Sequence, residues 1–256
     1  SGTPKTTVSP PPTDSTVAVI RDTAGTFIFP YDLSLPSEKF KLPDELTEIS
    51  GIDVYKKSKL VCVQDEKGNI YEYDLKKGEV KHSVDFAKKG DYEGVANVND
   101  TIYVLESNGD LFRITDFNND LQHTDEYKTE LDKDNDTEGL CYDRKNQRLL
   151  IACKKKAGGN FQNARAIYAF DLKRKKLNPK PAYLISLDEV KAYISKADPA
   201  KFVGEEIRDL SDPKKGDVAF QPSELAIHPL TGDIYVIATV GKILLVLNPS
   251  GKMRLE

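Results

Sequence analysis

The sequence predicts an all-β propeller of four-stranded blades, and three observations predict it. First, one phrase recurs four times: Glu48-Ile49-Ser50-Gly51-Ile52, Asp91-Tyr92-Glu93-Gly94-Val95, Asp136-Thr137-Glu138-Gly139-Leu140 and Pro222-Ser223-Glu224-Leu225-Ala226. Second, when the phrases are aligned with Leu225 in the glycine's place, Ser50, Glu93, Glu138 and Glu224 become equivalent and lie 43, 45 and 86 residues apart. A period in the forties made of short apolar runs is that of a propeller blade, and 86 is two repeats or one repeat with an insertion. Third, each phrase is followed by a strand, a turn or loop, and another strand.

The elements follow in order. The first unit offers β-rich runs at 60–63 and 70–74 around a turn through Gly68, and a weaker outer run at 80–84. The second offers 101–105 and 111–114 around Gly109. The third offers 149–153, a long loop over 154–165, then 167–170 and an outer run at 182–187. The fourth offers 234–238 and 243–247 around Gly241. After Leu187 the period changes, and 188–194 reads as a short helix with Asp188 near its start. A helical and loop insertion over about 188–220 therefore accounts for the wide last spacing. Residues 1–16 are Ser/Thr/Pro-rich and read as an extended tether, with 17–256 as a single propeller domain.

Composition narrows the function classes. The chain has 256 residues, 39% of them apolar, with a formal net charge of −4. No one-sided basic surface is offered, which argues against nucleic acid as the main partner. The Lys154-Lys155-Lys156 run reads as a solvated loop. No apolar run approaches the roughly 20 residues that cross a bilayer, and 1–16 contain no apolar stretch of a signal peptide. The cysteines Cys62, Cys141 and Cys153 all fall in strands. In the hairpin register Cys141 faces Leu150 and Cys153 faces a residue near Glu138, so three free thiols packed as small core residues are expected.

Leu42-Pro43 followed by Glu45-Leu46-Thr47-Glu48-Ile49-Ser50-Gly51 closely resembles the opening motif of the SdiA-regulated family of bacterial β-propellers. Gly90-Asp91-Tyr92-Glu93-Gly94, Thr137-Glu138-Gly139 and Gln221-Pro222-Ser223-Glu224 are similar to its later blade motifs, and the resemblance runs from Tyr31 onward. It implies export to the bacterial cell envelope and a lipid anchor, with the Pro-rich stretch as the spacer after a removed signal and acylated cysteine. That anchor is the one membrane attachment expected, and the chain is expected to be a monomer. The resemblance also implies five blades. Four are readable, and a last blade is expected after Gly251-Lys252, where the sequence gives only four more residues. The segment 39–42 is the candidate closing strand, and 17–20 with 26–29 are its alternative.

The chemistry expected is that of converging carboxylates. Inner strands line a propeller's channel, and residues at i and i+2 of a strand point the same way. Glu48, Asp91, Glu93, Asp136, Glu138 and Glu224 should therefore meet at the channel mouth as a metal site. Asp65, Glu106 and Lys154, from the loops after the second strands, are expected to join them as ligand-binding residues. Such carboxylates repel unless protonated, paired or neutralised, and Ca²⁺ suits them because it takes six to eight oxygens. The competing reading makes the glutamates structural latches onto backbone amides of the neighbouring blade. Asp132-Lys133-Asp134-Asn135-Asp136 resembles an EF-hand start, but Thr137 replaces the turn glycine, so it reads as an acidic inter-blade loop. His82, His123 and His228 have no ligand-like spacing, and no nucleophile elbow, P-loop or zinc motif occurs. Two functional classes remain. One is a non-enzymatic envelope module binding a small ligand, glycan or protein. The alternative is a Ca²⁺-dependent lactonase- or esterase-like hydrolase, for which no base is visible.

Overall fold

The computed structural model describes residues 29–33, 35–119, 121–196 and 220–254. Four antiparallel sheets stand in a ring. Blade 1 contains β1 (Ile49–Lys56), β2 (Lys59–Gln64), β3 (Asn69–Asp74) and β4 (Glu79–Asp85), paired in that order. Blade 2 contains β5 (Tyr92–Val98), β6 (Thr101–Glu106), β7 (Leu111–Thr115) and β8 (His123–Tyr127). Blade 3 contains β9 (Thr137–Asp143), β10 (Arg148–Cys153) and β11 (Ala164–Asp171). Its outer position is shared by two short strands on β11: β12 (Lys176–Leu177) pairs with Phe170 and Asp171, and β13 (Tyr183–Ser186) pairs with 164–167. Blade 4 contains β14 (Glu224–Ile227), β15 (Ile234–Ala238) and β16 (Ile243–Leu247), with Met253 bridging back to Leu247. The β5–β6 hairpin shows why local sequence closes these sheets. Asn99 and Asp100 both take positive φ (50° and 67°), the conformation whose twist matches paired strands and which these two residue types tolerate.

Two strands were not expected, and one expected strand is absent. The charged strand β8 and the two-residue β12 carry too little apolar alternation to be read. The segment 39–42 forms no strand. Tyr73 Oη instead donates to the Lys41 carbonyl at 3.3 Å, and Leu42 and Leu46 pack on Cys62, Tyr71 and Tyr73 of blade 1. Pro43 then leads into a 3₁₀ turn, Asp44–Leu46, which turns the chain away from strand pairing. The alternatives at 17–20 and 26–28, the tether and the loop 197–219 lie outside the described residues. The predicted helix is present as α1 (Leu187–Lys196), with the Ser186 hydroxyl accepting the Glu189 amide at 3.3 Å as its cap. Residues 37–254 form one unit, and the described part of 29–36 belongs to a separate one, where the Phe29 and Tyr31 rings meet edge-on at 5.6 Å.

The core lies between blades. Val61, Val63 and Ile70 pack on Val95, Val104 and Ile114; Leu105 and Leu111 on Leu149 and Ile151; Leu150 and Ala152 on Leu225, Val236 and α1's Leu187 and Val190. At the axis, glycine lets the backbones touch. A Cβ on Gly94 would lie 2.7 Å from Leu140 Cβ, and one on Gly139 would lie 2.6 Å from Leu225 Cδ2. Val95, Leu140 and Leu225 are therefore equivalent, each fitting over the glycine of the preceding blade, and they are 1–3% exposed. Ile52 holds that position in blade 1 and is 45% exposed. On the opposite flank, Val63, Leu105 and Ala152 are wholly buried, whereas their counterpart Ile237 is 47% exposed.

All three cysteines are free. Cys141 faces Leu150 and Cys153 faces Thr137, so the two are not paired neighbours. Burial pushes the Cys62 and Cys153 thiols up to about 12 and Cys141 well above its ordinary value. A thiol reagent at pH 8 should find almost no reactive cysteine in the folded chain and three after unreduced unfolding. Leu140→Ala should cost about 2–5 kcal/mol in urea unfolding, as large-to-small core substitutions do. Ile52→Ala should cost well under half of that, because no buried contact is lost on its exposed side.

Candidate functional site

A belt of backbone hydrogen bonds builds the channel mouth. The amides of Asp65, Ser107 and Lys154 donate to the carbonyls of Glu48, Asp91 and Asp136 at 3.4, 2.8 and 2.8 Å. The carbonyls of Asp65 and Ser107 then accept the amides of Tyr92 and Thr137 in the next blade, each at 2.8 Å. Asp65, Ser107 and Lys154 are thus equivalent. Glu106 stands one residue before this position. Its carboxylate accepts Asn108 Nδ2 at 3.1 Å and feels Asp110 and Lys128, so it faces the outer part of blade 2 rather than the mouth. Alignment through the hairpin glycines missed this shift because the loops differ in length.

The key position of each phrase is a β-bulge. Ile49 pairs with Gln64 and Gly51 with Val63, so Ser50 is an extra residue. Glu93 and Glu138 are extra in the same way, between Tyr92 and Gly94 and between Thr137 and Gly139. A bulge re-aims the side chain it carries and breaks simple alternation. Blade 4 has none: Glu224 pairs with Ile237 and takes the place of the glycine, while Ser223 takes the place of the bulged residue. The alignment of Glu224 with Glu93 and Glu138 is therefore one residue out.

Three bulged or shifted side chains meet different partners. Ser50 Oγ donates to the Tyr92 carbonyl at 2.6 Å, a latch onto blade 2. Glu138 is paired with the Lys154 ammonium. Glu224 Oε1 accepts the amides of Leu140 (3.2 Å) and Leu225 (2.8 Å), a latch onto blade 3, while its buried Oε2 has no partner. Among the described residues no cation is paired with Glu93. Burial first, then the charges of Glu138 and Asp91 and a hydrogen bond with Asp91, raise its carboxyl to about 8, against a lowering by Lys154. Burial likewise raises Glu224 to about 8, opposed by the two amides and assisted by Asp53 and Glu138.

The structure thus brings Asp91, Glu93, Glu138 and Lys154 together, with Asp136 beside them and Glu224 within reach of Glu138. Glu48 is exposed and contributes its carbonyl. Asp65 lies at the mouth with Oδ1 buried and unpartnered. Among the described residues no three Asp, Glu, His or Cys side chains stand close enough to hold a metal ion as placed. Lys155 and Lys156 are exposed as expected, pairing at the surface with Asp136 at 2.9 Å and Asp134 at 2.8 Å, whereas Lys154 is drawn in onto Glu138. This zips the EF-hand-like stretch down as an inter-blade loop, with buried Asn135 Nδ2 donating to the Lys156 carbonyl at 3.0 Å. The residue missed from sequence is Asp53. Its carboxylate accepts the Asn97 amide at 2.8 Å and the Val54 amide at 2.7 Å, and burial raises its pKa. Its signal is a lone acid where the other inner strands carry Ala96, Cys141 and Ala226.

The profile of the SdiA-regulated family matches residues 35–255, most of the chain. The chain belongs to the SdiA-regulated family. No curated protein matches it. Among solved structures this SdiA-regulated chain is similar to one in the nidogen/laminin complex, with TM-score 0.50 and 13% identity over 80% of this chain and 63% of that one. It is also similar to a structural genomics protein of unknown function from Bacteroides thetaiotaomicron VPI-5482 (TM-score 0.48, 12% identity, 86% of this chain and 44% of that). A third is hydrazine synthase of Kuenenia stuttgartiensis (0.47, 16%, 86% and 51%). This SdiA-regulated chain spans less than two thirds of each. At such identities the first likeness concerns the fold alone.

The raised carboxyls set a pH dependence. Glu93 and Glu224 bind protons more tightly folded than unfolded, where an ordinary glutamate titrates near 4.5. Their contribution to stability is whole below about 4.5 and is lost as pH rises to about 8. Glu93→Gln should therefore melt with a flatter fall in Tm between pH 5 and 9 than the unchanged chain, as scanning calorimetry at fixed ionic strength would register.

Proposed function

We propose that the protein is a non-enzymatic binding module of the bacterial cell envelope whose acidic channel mouth takes a cation or a ligand carrying one. The observation that carries this reading is Glu93: a half-buried carboxyl beside Asp91 and Glu138, with no ammonium or guanidinium of its own. Such a group either holds a proton or gains a cation when the charge is needed. Ca²⁺ is the simple cation that all-oxygen donors suit, after rearrangement of side chains now too far apart to share it. The envelope location rests on family membership together with the Pro-rich stretch at 1–16, read as a spacer.

The hydrolase reading needs a base beside the mouth. The histidines are engaged elsewhere: His82 Nε2 with the Phe117 carbonyl at 2.9 Å, His123 Nε2 with Asp125 at 3.1 Å, and His228 Nδ1 accepting the Thr231 amide at 3.2 Å. This favours binding over catalysis. A ligand held by the folded state alone raises stability by about 2.7 kcal/mol at a hundredfold excess over Kd. Millimolar Ca²⁺ should raise Tm, and the double change Glu93→Gln with Glu138→Gln should abolish the rise while keeping the β-sheet circular dichroism. No heat of Ca²⁺ binding, with the double variant merely less stable, would remove Ca²⁺ as the occupant of the mouth.

A further inference from the structure

The blades contain their own template for the mouth's ligand. In blade 3 the belt residue is Lys154, and its ammonium sits on the bulged Glu138 of the same blade, with Asp136 in its field. Blade 2 has the same construction with one part missing. Glu93 is the bulged carboxyl, Asp91 lies two residues before it as Asp136 does before Glu138, and the belt residue is Ser107. A serine hydroxyl cannot reach over the bulge as a lysine does. The seat next to Glu93 therefore has the acids of blade 3 without the cation.

A second observation flanks this seat. Asp65, the belt residue of blade 1, is tied by its carbonyl to the amide of Tyr92, the residue between Asp91 and Glu93. Its Oδ1 is buried and has no partner. Across the mouth the almost wholly enclosed carboxyl of Glu224, within the field of Glu138, leaves Oε2 without one. Buried polar atoms are nearly always satisfied, so orphans at one mouth mark a missing donor. An ammonium has three donors and no acceptor, which matches a seat made only of acceptors. It also needs fewer oxygens than the six to eight of Ca²⁺, in keeping with the spacing of these acids.

We infer that the blade 2 seat, formed by Asp91 and Glu93 with Asp65 on the adjoining belt position, binds a primary ammonium group of the ligand in the way that Lys154 is bound in blade 3. This rests on the reading of the mouth as a cation-binding site and names the cation. The shared chemistry is an alkylammonium, carried by a lysyl side chain or an amino sugar.

The probe is n-butylammonium, titrated calorimetrically into the full chain at pH 7.5, with N-acetyllysine methylamide and glucosamine in parallel to separate the two sources. Saturable binding is expected, weakened at least tenfold by Glu93→Gln. Ser107→Lys, which supplies the ammonium internally, should also abolish it and should move the Glu93 carboxyl to lower pKa by carbon-detected NMR. Ser107→Met, of similar bulk without charge, should keep the binding. If Ser107→Lys does not fold, Glu93→Gln and Ser107→Met decide alone. Binding that survives Glu93→Gln, or is lost equally in Ser107→Met, overturns the inference. Ca²⁺ binding without alkylammonium binding overturns it and leaves the module reading standing, whereas binding of neither overturns both.

Discussion

Close approach of inner-strand backbones at the axis is the constraint on which the rest depends. It requires a residue without Cβ at positions 51, 94 and 139, since any Cβ there would fall within 3 Å of the next blade. The approach allows the belt of amides and carbonyls to cross from blade to blade. It also forces a large apolar residue one position on to fit over each glycine, which is where the inter-blade cores begin. Packing and hydrogen bonding are thus set by one distance rather than by separate features. The bulges follow from it too. The strand must bend where it enters the belt, and an extra residue absorbs the bend.

Each bulge puts a side chain where water is scarce and neighbours are close, so its chemistry has to be resolved locally. The four blades do this differently. Ser50 donates to a carbonyl, Glu138 takes an ammonium, and Glu224, without a bulge, accepts the Leu140 amide of the preceding blade and the Leu225 amide of its own. Glu93 has none of these and relies on a proton. The latch reading describes Glu224, whereas Glu138 is paired with the Lys154 ammonium. Treating them as one ring of equivalent ligands overstated their symmetry. Glu138 is shared with Lys154, and Glu224 is half committed to Leu140.

The blade pattern was legible because it depends on residue types that recur: glycine, a large apolar residue, a β-rich run and a hairpin turn. These reproduced β1–β3, β5–β7, β9–β11 and β14–β16, and the helix after β13. What was not legible depends on single-residue offsets. The bulges at Ser50, Glu93 and Glu138 leave no mark on composition. The absence of a bulge in blade 4 moved Glu224 into the glycine's slot, although Leu225 in place of glycine was the visible sign of it. Asp65 and Glu106 were equated through loops of unequal length. Asp53 escaped because it occurs in one blade only, and a repeat-based reading attends to what is shared.

Ile52 and Ile237 mark where the four blades differ. Ile52 and Ile237 hold positions that are buried in the other three blades, and each is nearly half exposed. In blade 4 the slot that elsewhere holds glycine holds Glu224, so a further backbone cannot approach this flank as β9 approaches β5. The carboxyl turns towards the axis and ties β14 back to Leu140. An acid there both strengthens the contact with blade 3 and changes the flank's chemistry from backbone contact to charge. Exposed Ile237 and the acid Glu224 opposite it on β14 belong to one strand pair. The repeat is regular where a blade meets another on both sides, and it departs from the rule at the end residues whose neighbours differ.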